Sequence, residues 1–175
     1  MQQPNFTPFP VLSTERLTLR PFTLEDENEI FFMRSDEEMN KYTGITKATS
    51  LDDARKHIER INNYILNNES IMWGIALKND NKLIGSICLW NIEVEKSQAE
   101  IGYVLMPAFQ GKGIMQEAVN CIIDHAFNTM QLDTITADLE ADNSASIKLL
   151  EKSAFVYQGL SEIGVVYTLS NKQQA

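Results

Sequence analysis

Cysteine is scarce in this chain of 175 residues: Cys88 and Cys121 are its two, and they form no CxxC. A disulfide framework or a cysteine-rich zinc site is therefore excluded, and buried free thiols in a reducing compartment are expected. Histidine is as rare, with His57 and His125 alone, and neither stands among cysteines or carboxylates at ligand spacing, so no metal is expected. Long apolar runs are missing. No stretch approaches the ~18 residues that span a bilayer, which argues against a membrane partner. The opening MQQPNFTPFPVLSTERL has no charged segment followed by an apolar one, so no secretion signal is read and a cytoplasmic location is expected. Positive charge is in deficit: 15 Lys and Arg face 24 Asp and Glu, a net charge of −9. That disfavours nucleic acid as a partner, since binding there rests on cationic contacts to phosphate. It suits a cationic substrate, and equally it suits plain solubility. Internal repeats and low-complexity linkers are absent, so one domain suffices.

What is present is the composition of an ordinary globular protein, 43% hydrophobic and 22% charged. Residues 1–11, with three prolines, read as an arm without regular structure; 12–170 read as a single domain and 171–175 as a C-terminal tail. Glu15–Pro21 alternates Leu17 and Leu19 with polar residues, the period of a half-buried strand. Thr23 is placed to cap a helix through about Met33, and Ser35 with Glu38 forms a capping box for a short second one. Thr43–Thr49 is a loop. Ser50 caps a helix to near Asn67 whose apolar face is Leu51, Ala54, Ile58, Ile61 and Ile65. Three strands follow at Ile71–Leu77, Lys82–Trp90 and Ala99–Leu105, close enough together for an antiparallel meander. A helix over 113–127, a strand at Leu132–Leu139, a short helix from Asn143 to Lys152 and two closing strands, Phe155–Gly159 and Val165–Leu169, complete the order. The class is α+β, with a parallel crossover from strand 99–105 through the helix to strand 132–139.

The chain's most informative stretch is Gln110-Gly111-Lys112-Gly113-Ile114-Met115, a loop joining a strand to a helix. Unpaired first-turn amides and the positive end of the helix dipole make such a junction suited to an anion. Two glycines permit close backbone approach to a ligand, and they also simply permit a turn. The spacing is neither a P-loop nor GxGxxG.

Four blocks in order resemble the GNAT N-acetyltransferase superfamily, and within it the RimJ/RimL-like branch of ribosomal-protein N-terminal alanine acetyltransferases. They are LSTERLTLRPF at 12–22, WGIALKNDNKLIGSICL at 73–89, AEIGYVLMPAFQGKGIMQEAV at 99–119 and LEADNSASIKLLEKSAF at 139–155. The resemblance implies the acyl-CoA N-acyltransferase fold, a mixed, mostly antiparallel central sheet flanked by helices. It also implies transfer of an acetyl group from acetyl-CoA to a primary amine. Amides from Gln110, Gly111, Lys112, Gly113, Ile114 and Met115 then bind the pyrophosphate, and Tyr103, Val104 and Leu105 pair their backbone with the pantetheine arm. Asn143 matches a position near the pantetheine, and it is also a plain N-cap. Lys112 and Lys148 are in reach of the 3′-phosphate or are merely solvated.

For catalysis, Glu100 on the strand beside the thioester is a general base or a strand carboxylate bonded to a neighbour. Ser146 matches a serine that protonates the leaving thiolate, and it reads equally as a helix-start residue. Three positions depart from the family pattern: Leu150 stands where many members carry tyrosine. Met115 replaces a small residue and would narrow the loop, and Ala154-Phe155 replaces Gly-Phe, implying a turn with no glycine-only dihedral. Cys121 with His125 one helical turn on is a conceivable but disfavoured nucleophile pair. The expectation is direct transfer in a ternary complex, by a monomer or homodimer, with the acceptor in a cleft between the helices of 24–67 and the C-terminal strands. The acceptor is a protein N-terminal α-amine or a small amine such as a polyamine, amino acid or aminoglycoside. The rivals are an acyl-CoA-binding domain without turnover and an unrelated nucleotide-binding domain.

Overall fold

The computed structural model describes residues 3–44 and 46–171; residues 1–2 of the arm, residue 45 of the 43–49 loop and residues 172–175 of the tail lie outside it. Leucines at alternate positions put Leu17 and Leu19 fully inside, and the strand they form, β2 (Leu17–Arg20), takes a two-residue partner, β1 (Leu12–Ser13), too short to be legible in the sequence. After Pro21 the chain turns through a short 3₁₀ segment, Leu24–Asp26, before α1 (Glu27–Ser35). The Asp26 carboxylate accepts from the Thr23 amide and receives both terminal nitrogens of Arg20, at 2.8 and 2.9 Å. The expected capping box at Ser35 and Glu38 is displaced by one residue. Ser35 closes α1, donating its hydroxyl to the Phe32 carbonyl, while Asp36 caps α2 (Glu37–Asn40) by accepting from the Met39 amide. A carboxylate accepts there as a hydroxyl would, and both types are strong caps.

Ser50 caps α3 (Leu51–Leu66) as its spacing requires, accepting from the Asp53 amide. Its face of Ala54, Ile58, Ile61 and Ile65 is buried, each isoleucine contributing roughly 2 kcal/mol by leaving water. The meander is β3 (Ile71–Leu77), β4 (Leu83–Glu93) and β5 (Gln98–Leu105). α4 (Ile114–Asp124) runs on into a wider turn at His125–Thr129, where the Met130 amide bonds the His125 carbonyl five residues back. β6 (Thr134–Leu139), α5 (Ser144–Lys152), β7 (Val156–Leu160) and β8 (Val165–Ser170) follow.

Among the described residues eight strands form one sheet in the order β1-β2-β3-β4-β5-β6-β8-β7. All neighbours are antiparallel except β5 and β6, joined in parallel by the crossover through α4. The sheet core is Trp73, Ile87, Leu89 and Ile135, under α4's Ala118, Val119 and Ile122. Residues 3–11 of the arm are irregular but not loose, since Phe6 is buried and the Trp73 indole donates to the Pro10 carbonyl at 2.8 Å.

The turn after α5 sharpens the sequence reading. Ala154 lies at φ 64°, the left-handed region, with its amide on the Glu151 carbonyl and the Phe155 amide on the Leu150 carbonyl. This is the double-bonded helix stop in which glycine is the usual occupant. The dihedral is one that favours glycine without being glycine-only: alanine adopts it and bears the strain, held by buried Leu150 and Phe155. Replacing Ala154 by glycine relieves that strain against a smaller loss of unfolded-chain entropy. The Tm should rise by about 2–4 °C in calorimetry.

Candidate active site

β5 and β6 run side by side only from the Gln98–Thr134 pair to the Glu100–Thr136 pair. Beyond it β5 stays with β4 and β6 stays with β8, so the sheet opens into a wedge between them. β4 carries a bulge between Trp90 and Glu93, with Asn91 at φ 47°, and a bulge bends a strand and increases its twist. The wedge begins beside that bulge.

Along β5 successive residues turn their backbone groups to opposite edges. The Ala99 carbonyl faces β6, receiving the Thr136 hydroxyl, while the Val104 carbonyl lies against Gly85 of β4. The residues facing the wedge are therefore Ile101, Tyr103 and Leu105. This corrects the assignment of Val104, whose backbone is turned to β4, and adds Ile101, which sequence reading missed. The Leu105 carbonyl already accepts from the Gln110 side chain at 2.9 Å.

The loop lies at the wide end of the wedge. Gly111 and Gly113 adopt φ of 71° and 73°, and Gly113 is the N-cap of α4. The amides of Ile114, Met115 and Gln116 open the helix and have no carbonyl one turn back. Nothing lies within 4 Å of where a Gly111 side chain would begin, so the loop is open on that side. Open amides, left-handed glycines and a helix start together fit a phosphate ester. Met115 does not narrow the loop as expected. It is buried in line with Ala118, Val119 and Ile122, because α4's periodicity points it to the core. Lys112 donates its ammonium to the Ala108 carbonyl at 2.7 Å, which holds it back along its own loop. Lys148 is exposed on α5.

Glu100 and Tyr103 project to opposite faces of β5. On the Glu100 face its register partner is Trp90, 46% exposed, and a side chain at Gly102 would begin 3.1 Å from the Cys88 sulfur and 3.7 Å from the Trp90 indole nitrogen, so glycine lets these two pack close to the strand. Burial raises the Glu100 pKa; the Asn91 side chain, hydrogen-bonded to it, opposes this, and the charge of Asp138 adds to it, so the net shift is upward. Asp138 in turn accepts the Ser161 hydroxyl at 2.6 Å. On the other face burial drives the Tyr103 phenol up to about 12 against a hydrogen bond with Ser146. Tyr103 and Ser146 therefore meet although one lies on β5 and the other on α5. Asn143 caps α5 by accepting from the Ser146 amide at 3.2 Å, fixing where that serine stands. Leu150 is in the core, so its position lends no side chain to the wedge.

The remaining reactive side chains are quenched. Burial pushes the Cys88 thiol up to about 12 and raises Cys121 as well. His125 does not pair with Cys121; its ring stands edge-on to Trp73, 5.6 Å between centroids. His57 is kept neutral, driven down to about 3 by burial and by Arg34 and Arg60. Among the described residues no group of three His, Cys, Asp or Glu is arranged to hold a metal, and no helix is long and apolar enough to cross a membrane. Sequence reading missed Asn91, Asp138, Arg16 and Glu117. The break in β4's alternation at Asn91-Ile92 signals the bulge; no local pattern joins Arg16 to Glu117.

Residues 16–156 match the acetyltransferase (GNAT) domain family. An uncharacterised N-acetyltransferase of Bacillus licheniformis, p20, is 40% identical over 149 residues, covering 85% of this chain and 84% of its own. RimJ of Mycobacterium smegmatis, solved in complex with CoA-disulfide, shares the fold with a TM-score of 0.81 at 18% identity, over 90% of this chain and 83% of its own. The ribosomal-protein-S5-alanine acetyltransferase of Vibrio fischeri does so with a TM-score of 0.79 at 23% identity, over 95% and 99%. The family match runs from β2 to the start of β7 and so contains the loop, the wedge and Glu100; the chain belongs to the GNAT family and is an N-acetyltransferase.

Proposed function

We propose that the protein moves the acetyl group of acetyl-CoA directly to a primary amine in a ternary complex, with a protein N-terminal α-amine as acceptor. The observation that carries this is the wedge itself: an open strand edge leading from an anion-ready loop to a half-buried carboxylate. The loop amides of 111–115 bind the pyrophosphate, and Ile101 and Tyr103 pair with the pantetheine amides as a strand edge does. Asn143 lies where the arm passes α5.

Acetyl-CoA supplies a thioester carbonyl; the residues of this chain manage the protons around it. Glu100, ionised, takes the proton from the acceptor's ammonium or through a water, leaving a neutral amine to attack. The new C–N bond forms as the C–S bond breaks, and the nitrogen sheds its second proton to solvent to become the amide. The departing thiolate takes a proton from the Ser146 hydroxyl, which Tyr103 orients, and solvent returns a proton to Ser146. Ser146→Ala should lower kcat about tenfold and leave the acetyl-CoA KM nearly unchanged; a wild-type rate would return Ser146 to a capping role.

The RimJ complex with CoA-disulfide and the S5-alanine enzyme support the coenzyme and the N-terminal acceptor. Asp138 beside Glu100 favours a second reading, a small polycationic amine drawn to two carboxylates. Thiol release from acetyl-CoA over a panel of N-terminal peptides, polyamines, amino acids and aminoglycosides decides between them. Turnover confined to peptides supports the first reading, turnover confined to small amines the second, and CoA binding with no release over any amine overturns both. We place the reaction in the cytoplasm, in a single domain of residues 12–170 acting as monomer or homodimer, without metal.

A further inference from the structure

The coenzyme loop is held from behind by residues of the turn between β1 and β2. The Arg16 Nε donates to Glu117 Oε2 at 2.6 Å, and its Nη1 donates to the Lys112 carbonyl at 3.0 Å. The Arg16 amide and the Thr14 hydroxyl both donate to the other Glu117 oxygen. Glu117 is in the first turn of α4, whose first intrahelical bond runs from its own amide to the Gly113 carbonyl. One guanidinium thus ties together the end of the strand pair, the start of the helix and the middle of the loop. Burial works against the Glu117 carboxylate, but the Thr14 hydroxyl and the Arg16 amide and guanidinium outweigh it and hold its pKa low, so it stays ionised near neutral pH.

The peptide joining Lys112 to Gly113 is planar and trans, so its carbonyl and its N–H point in opposite directions. Fixing the Lys112 carbonyl onto Arg16 therefore turns the Gly113 N–H directly away from Arg16, toward the open side of the loop. A stretch with glycines at 111 and 113 would otherwise sample many orientations, at an entropic cost on ligand binding. Lys112 itself is occupied with Ala108, and a Gly113 side chain would begin 3.6 Å from Arg16 Nη2, in ordinary contact.

We infer that Arg16, with Glu117, is a positioning residue for the coenzyme: it presets the Gly113 amide for the pyrophosphate without touching the reacting atoms. The inference rests on the proposed coenzyme loop. Arg16→Ala should raise the acetyl-CoA KM, and the Kd for CoA by calorimetry, about tenfold, while the acceptor KM and the kcat at saturating coenzyme stay within about twofold. Arg16→Lys keeps a charge for Glu117 but lacks the planar fork that reaches both Glu117 and the Lys112 carbonyl, so it should remain impaired severalfold. Glu117→Gln, isosteric and less disruptive to folding, should weaken CoA binding in the same direction and by less. Arg16→Ala with a lowered Tm but wild-type CoA affinity overturns the clamp, as does full recovery by lysine. Gly113→Val measured alongside separates the two failures: if it weakens CoA binding and the Arg16 variants do not, the clamp alone is wrong, and if neither does, the loop is not the coenzyme site.

Discussion

Glu100→Gln is expected to lower kcat about 10²-fold with the acetyl-CoA KM nearly unchanged. Glutamine keeps the shape of the side chain and its contact with Asn91 but accepts no proton at any working pH. The binding loop lies at the far end of the wedge, so coenzyme affinity should not follow. The pH dependence gives an independent check. Burial, together with the Asp138 charge, raises the Glu100 pKa above the ordinary carboxylate value. The base works only when ionised, so kcat should fall as pH drops through that raised pKa, at higher pH than an ordinary glutamate would give. Asp138→Asn removes the like charge and should move this acid limb to lower pH. A Gln variant at full rate would remove Glu100 from the mechanism, and a limb unmoved by Asp138→Asn would detach it from Asp138.

Gly113→Val should raise the acetyl-CoA KM by at least tenfold, with kcat at saturating coenzyme much less affected. Space is not the cause, since a Cβ at Gly113 would meet its nearest atom, Arg16 Nη2, at 3.6 Å. The cause is the backbone. At φ 73° a β-branched residue is strained by about 1–3 kcal/mol, which the loop sheds by leaving the conformation that aims its amides. Gly113→Asn discriminates, because asparagine tolerates the left-handed region and should recover most of the affinity. If valine and asparagine raise the KM equally, the effect is steric. If valine leaves the KM unchanged, the pyrophosphate binds elsewhere.

Sequence alone determined whatever depends on local periodicity and local caps. Leu17 and Leu19, the α3 face from Ala54 to Ile65, the Ser50 and Asn143 caps and the glycine loop all stand where their spacing put them, because each is set by neighbours within one turn or one pleat. The parallel crossover was legible too, since its strand, helix and strand follow one another. Tertiary structure decided what depends on partners distant in the chain. Which β5 residues face the wedge follows from pairing with β4 and the parting from β6, and this exchanged Val104 for Ile101. Met115 was placed in the core by packing, Tyr103 of β5 met Ser146 of α5, and Arg16 reached Glu117 across 101 residues. Pyrophosphate chemistry can be read from Gln110–Met115 because amides and glycines act through the local backbone. How that loop is held cannot, because Thr14 and Arg16, which hold it through Glu117, lie in a turn far away in the chain.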